Sequence, residues 1–198
     1  MDRRRRGDDV SGPGTELAIS LDMSGSQSEK TGELATLLSR LKKNLTPPNA
    51  CAALARLFQV GLDEVALLRL DEGMLKFLYP PLLRAAGLIP LSSPAVAART
   101  AATKTALLSN TFAKVRHMAV FEAVKPQEKR EDSEASDPAP IQKIMSAPIV
   151  DEEGDVLGVI QISRKGPAPT SAGPDFTIDD LHRLEKAAAT VAKMSFLR

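Results

Sequence analysis

Residues 144–165, IMSAPIVDEEGDVLGVIQISRK, constrain the fold more than any other part of the chain. Two apolar runs flank a short polar turn in which Gly154 supplies the bend, the pattern of a β-hairpin. The second run, VLGVIQI, is almost continuously apolar. An alternating strand buries one face, whereas a run of this kind buries both, so it is expected in the interior of a sheet. Gly158 interrupts it, and a glycine inside a strand marks close backbone approach or a bulge. Pro148 in the partner strand has no N–H to donate, which points to an edge position or a bulge.

The surrounding segments supply further strands and a helical layer. The chain closes with a helix announced by Thr177 and Asp180, an [ST]-x-x-[DE] start, with Ile178, Leu181, Leu184, Ala188 and Val191 at helical spacing. Leu34, Leu37, Leu38, Leu41 and Leu45 predict a helix over 32–45. A second helix starts at Thr46 and Pro47, carries Cys51, Leu54, Leu57 and Phe58 on one face, and is expected to stop at Gly61. Residues 65–71 and 74–80 are apolar runs split by Glu72 and Gly73, which reads as a tight hairpin. PLLRAAG gives one helical turn, Ser93 caps a helix from Pro94, and 105–110 is a short strand. Residues 111–124 have helical spacing, with Phe112, Val115 and Ala119 on one face. Residues 1–31 read as a disordered tail, with the Arg3–Arg6 cluster in solvent. The acidic stretch at about 125–139 reads as a mobile loop.

Composition narrows the function. The chain has 198 residues, 43% of them hydrophobic, enough for one domain with a real core. Its net charge of +1 gives no push towards nucleic acid. Six Phe, one Tyr and no Trp leave little to stack bases on. One cysteine, Cys51, excludes an intramolecular disulfide and a multi-cysteine zinc site, and fits a reducing, cytoplasmic setting. No apolar run approaches the ~20 residues of a membrane helix, and no apolar segment follows the basic N-terminus to make a secretory signal. Nearly every carboxylate falls in turns, tails or the 122–137 stretch, where solvent denies it the shifted pKa values of acid–base catalysis.

The element order, together with MSAPIVDEEGDVLGVIQISRKG, FTIDDLHRLEKAAATVA and LIPLSSPAVAARTAATKTALLSN, resembles a GAF domain over roughly residues 46–197. The resemblance implies an α+β fold: a central antiparallel sheet of about five or six strands. The N- and C-terminal helices would pack on one face, with short helices and loops on the other. The domain would span 32–198. The resemblance also implies a non-enzymatic sensory or regulatory domain in signal transduction, working through a signalling partner or a homodimer of its terminal helices, with a small-molecule pocket. The alternative is a structural protein–protein interaction module with a degenerate pocket.

The family's cyclic-nucleotide signature is absent, with Asn110, Phe121 and Glu122 only loose echoes. Members that hold a bilin use a cysteine, whereas Cys51 lies on the early helix. Members that reduce free methionine sulfoxide need two cysteines where this chain has one. On these grounds the chain is expected not to be an enzyme. A pocket would draw on Phe77, Tyr79, Leu91, Asn110, Phe112, His117 and Met145; no metal site, nucleic acid or membrane is implied, and the sequence names no cofactor either way.

Overall fold

The computed structural model describes residues 46–114 and 139–197. The expected tail over 1–31, the helix over 32–45, all but the start of the 111–124 segment and nearly all of the acidic loop fall outside them.

Helix α1 (Pro47–Phe58) begins at Thr46 with proline in its first turn, as the sequence implies. It ends at Gln59 rather than Gly61: Gln59 takes the left-handed conformation (φ 52°) and returns its N–H to the last turn. Strands β1 (Val65–Asp71) and β2 (Met74–Tyr79) form the tight hairpin. Glu72 and Gly73 both have positive φ (47° and 76°), the turn whose twist matches paired strands. A six-residue 3-10 helix, Pro81–Ala86, about two turns where one was expected, leads to the two-residue strand β3 (Ile89–Pro90). Helix α2 (Val96–Thr103) and strand β4 (Leu107–Ser109) follow. Strands β5 (Ile141–Val150) and β6 (Val156–Lys165) make the long hairpin, and α3 (Ile178–Val191) closes the fold. Where a helix was expected over 111–124, the described part is one 3-10 turn, Phe112–Lys114.

The six strands form one antiparallel sheet in the order β3-β2-β1-β6-β5-β4. β6 therefore lies in the interior, between β1 and β5. Its Val159, Ile160 and Ile162 are wholly buried. Gly158 is there because no side chain fits: a Cβ would stand 2.1 Å from the Leu68 carbonyl oxygen. Pro148 lies two residues beyond Ser146, the last β5 residue that β4 reaches. On that side β5 is locally an edge, where a residue without an N–H is tolerated. Asp151 organises the β5–β6 turn by accepting from the N–H groups of Glu153 (3.1 Å) and Asp155 (2.8 Å).

Period-two alternation sorts the strand residues into two cores. Val65, Leu67, Ala147, Ile149, Ile160 and Ile162 face α1 and α3. Ala66, Leu68, Leu75 and Val159 face α2 and the segment after β2. The α3 stripe of Leu184, Ala187, Ala188 and Val191 is spent on the sheet, each large side chain contributing about 1.5–3 kcal/mol. A Thr177–Asp180 capping box starts that helix. The helices from both ends of the described chain thus share one face, and the short helix covers the other.

Candidate functional site

The face opposite α1 and α3 holds a cavity of about 520 Å³ between α2, β4, β5 and the 3-10 turn at Phe112. Its apolar lining includes Val96, Leu107, Leu108, Phe112 and Ile144; its polar lining includes Ser93, Arg99, Thr103 and Ser109. The volume falls in the range of small-molecule sites. Alanine spacing explains how the cavity forms. Ala97, Ala98 and Ala101 bring α2 close to the sheet. Val96, Arg99 and Thr103, at helical spacing from one another, line the cavity instead.

Beside this cavity, α2 is pinned to the sheet by buried polar groups. Thr100 donates to the Ser146 hydroxyl at 2.8 Å, and Gln161 Nε2 donates to the same oxygen at 3.4 Å. All three residues are buried, so their mutual satisfaction is what makes them tolerable there.

The cavity rim connects physically to the terminal helices. Asn110 directly follows cavity-lining Ser109. Its Nδ2 donates to the Phe176 carbonyl at 3.0 Å, and its Oδ1 accepts from the Phe176 N–H at 2.9 Å. One side chain so satisfies both backbone groups of the residue that precedes the α3 cap. The Phe176 ring is buried, and the Arg164 guanidinium stacks over it at 4.8 Å from the centroid. Arg164 also donates to the carbonyls of Phe58 (3.2 Å) and Gln59 (3.5 Å), the last groups of α1. Lys143 fastens the same connector, donating to the Gly173 carbonyl at 2.6 Å and pairing with Asp175 at 2.7 Å.

The seven residues expected to line a pocket are not brought together. Phe112 lines the cavity, and Asn110 sits at its rim with its side chain turned to Phe176. Phe77 and Leu91 belong to the core beneath α2 without lining the cavity. Tyr79 and Met145 lie on the other side of the sheet, in the core under α1 and α3, and this corrects their placement around one pocket. A register shift between Leu67 and Leu68 against β2 puts Phe77 and Tyr79, two apart in sequence, into opposite cores. Burial raises the Tyr79 hydroxyl pKa above its ordinary value, with Cys51 and Asp63 nearby adding to the shift. His117 lies outside the described residues. Of the described cavity residues all but Phe112 were missed, among them Val96, Arg99 and Thr103 on α2 and Ile144 on β5. The three-and-four spacing of Val96, Arg99 and Thr103 beside an alanine stripe was their one sequence signal.

Two other places carry less chemistry. A groove of about 510 Å³ lies between the β5–β6 turn and the end of α3, lined by Asp151, Glu152, Glu153 and Lys193 among others. Cys51 is wholly buried on α1, and burial pushes its thiol pKa far up, so it packs as an apolar group and is no nucleophile. Among the described residues no cluster of three or more His, Cys, Asp or Glu could hold a metal ion. Among them, too, no helix is long and apolar enough to cross a membrane.

Comparison with known proteins agrees with this geometry. The family profile described as "GAF domain" matches residues 49–194. No curated protein matches the chain in sequence. Among solved structures, the GAF domain of an Acinetobacter phosphoenolpyruvate-protein phosphotransferase superposes with a TM-score of 0.61 at 11% identity, covering 83% of this chain and 90% of its own. The corresponding GAF domain from Coxiella burnetii gives 0.54 at 11%, covering 82% and 92%. Free methionine-R-sulfoxide reductase from Neisseria meningitidis, in complex with its substrate, gives 0.57 at 13%, covering 85% and 89%. The last neighbour overturns the expectation that the chain is not an enzyme. A fold that houses a reductase gives no ground for denying catalysis, because activity is set by the groups placed in a site rather than by the architecture around it.

Proposed function

This chain belongs to the GAF domain family, and from that premise we propose that it is a sensory and regulatory domain. A small molecule enters the cavity between α2, β4 and β5, and the terminal helices carry the response to a signalling partner or to a second copy of the chain. The single domain of 32–198 works in the reducing setting of the cytoplasm.

The observation that supports this reading most directly is the Asn110 joint. The strand end that contributes Ser109 to the cavity also grips the backbone of Phe176, two residues before α3 begins. Phe176 in turn stacks with the arginine that closes α1. A ligand that moves the 107–112 strand end therefore acts on both terminal helices through one side chain. Such a shift needs a difference in binding between two arrangements of the joint.

The test uses the full chain and a panel of nucleotides, haem and amino acids. A true ligand at ~100 times its dissociation constant should stabilise the fold by about 2.7 kcal/mol in a melting experiment. It should also change backbone amide exchange at 176–184. Asn110→Ala should keep binding and lose that exchange response. Flat melting curves across the panel, with a stable complex formed with another protein, would instead favour an interaction module. An exchange response that survives Asn110→Ala would remove the joint from the mechanism.

A further inference from the structure

We infer that the cavity between α2, β4 and β5 takes a small carboxylate with an apolar body, its charge at Arg99 and its chain against Phe112 and Ile144. The inference rests on the reading of this cavity as the sensing site and assigns its ligand class.

Among the described residues Arg99 is the one charged member of the lining, and none of the other described lining residues is a carboxylate. Among the described residues no ion pair engages its guanidinium, whose planar fork matches a carboxylate. The neighbouring hydroxyls are not equivalent. Ser93 Oγ accepts from the Ala95 N–H at 3.3 Å, so its own proton is free to donate into the cavity. Thr103 Oγ1 already donates to the Arg99 carbonyl at 2.9 Å. Arg99 and Ser93 thus offer donors from one wall, Ser109 adds a further hydroxyl to the lining, and all suit a ligand oxygen bearing negative charge.

The remainder of the lining is apolar. Leu107, Phe112 and Ile144 offer no polar side-chain atom to a second charged end. A cation would meet a like charge at Arg99. A wholly apolar ligand would desolvate the guanidinium without a partner. Among the described residues a nucleobase would find Phe112 as its single aromatic surface and nothing acidic to accept from its amino groups.

Three eight-carbon probes separate these chemistries on the full chain: octanoate, octanol and octylamine, measured calorimetrically below their aggregation limits. Octanoate should bind saturably, and octanol at least about tenfold more weakly. Octylamine should not bind. Arg99→Gln should weaken octanoate by a similar factor, and Arg99→Glu should lose octanoate and gain octylamine. Arg99 is exposed, so both variants should melt as the parent does. Equal binding of octanol, or octanoate binding indifferent to Arg99, overturns the ligand class and leaves the sensing reading to the nucleotide, haem and amino-acid panel. No saturable binding of any probe overturns the inference outright. A flat panel together with tight octanoate binding would leave the cavity as a site and refute only the choice of panel ligands.

Discussion

Cys51 shows how a single residue changes meaning between sequence and structure. A lone thiol on a helix face invites a reactive role, yet its side chain is wholly enclosed by the core under α1 and α3. Burial disfavours the thiolate, so the folded state holds the proton to higher pH than the unfolded chain does. The unfolded state then binds fewer protons above its own thiol pKa of about 8.5, and stability must fall as pH rises through that region. Urea unfolding between pH 8 and 10 should show a loss approaching ~1.4 kcal/mol per pH unit from this group, and Cys51→Ala should flatten it. An unchanged slope in the variant would count against the buried thiol. Gly158 is the opposite case, a residue whose meaning was legible at once. Close backbone approach or a bulge was the expectation; the Leu68 carbonyl supplies the first, and the β5–β6 register shifts beside it.

At the scale of elements, the joints between strands and helices are made by side chains that no periodicity announces. Arg164 ends β6, yet its work is to close α1 and cover Phe176. Among the described residues its buried Nε has no hydrogen-bond partner, so stacking and the two helix carbonyls carry the group there. Arg164→Ala should therefore cost about 2–4 kcal/mol in urea unfolding, since it frees two carbonyls and uncovers a ring. Arg164→Lys should recover little, because an ammonium cannot stack and fork together. Full recovery by lysine would show that charge alone mattered.

Strand and helix positions themselves were largely readable. Apolar runs broken by turn residues located β1, β2, β5 and β6, and the capping box located the start of α3. The cavity was less so. Its residues come from α2 and β4, where the pattern is short, and a register shift in β2 placed Tyr79 on the side opposite Phe77. Met145 was off by a single residue: Ile144 lines the cavity and its neighbour faces the other core. Long-range pairings such as Asn110 with Phe176 depend on register, which the local sequence does not encode.

For the whole molecule, the two-faced sheet decides which surfaces remain for association. The apolar stripe of α3 suits helix pairing in sequence, but the sheet of its own chain already covers it. Leu184→Asp should thus abolish cooperative folding at every protein concentration rather than split a dimer, as burying an unpaired carboxylate where Leu184 packs is among the costliest changes available. Ile178 is 61% exposed at the start of the same helix. Ile178→Arg should leave the melting temperature in place, and light scattering should show a reduced mass if copies meet through the outer side of α3. A folded Leu184→Asp monomer would refute the packing described for that stripe.

One small contact has a consequence for how the domain can be deployed. Ala50, in the first turn of α1, touches Met194, just past the end of α3, in a cluster of their own. The start of α1 and the turn after α3 are therefore neighbours. A tug on the one is felt at once by the other, so the two ends of the helical layer answer as a single lever.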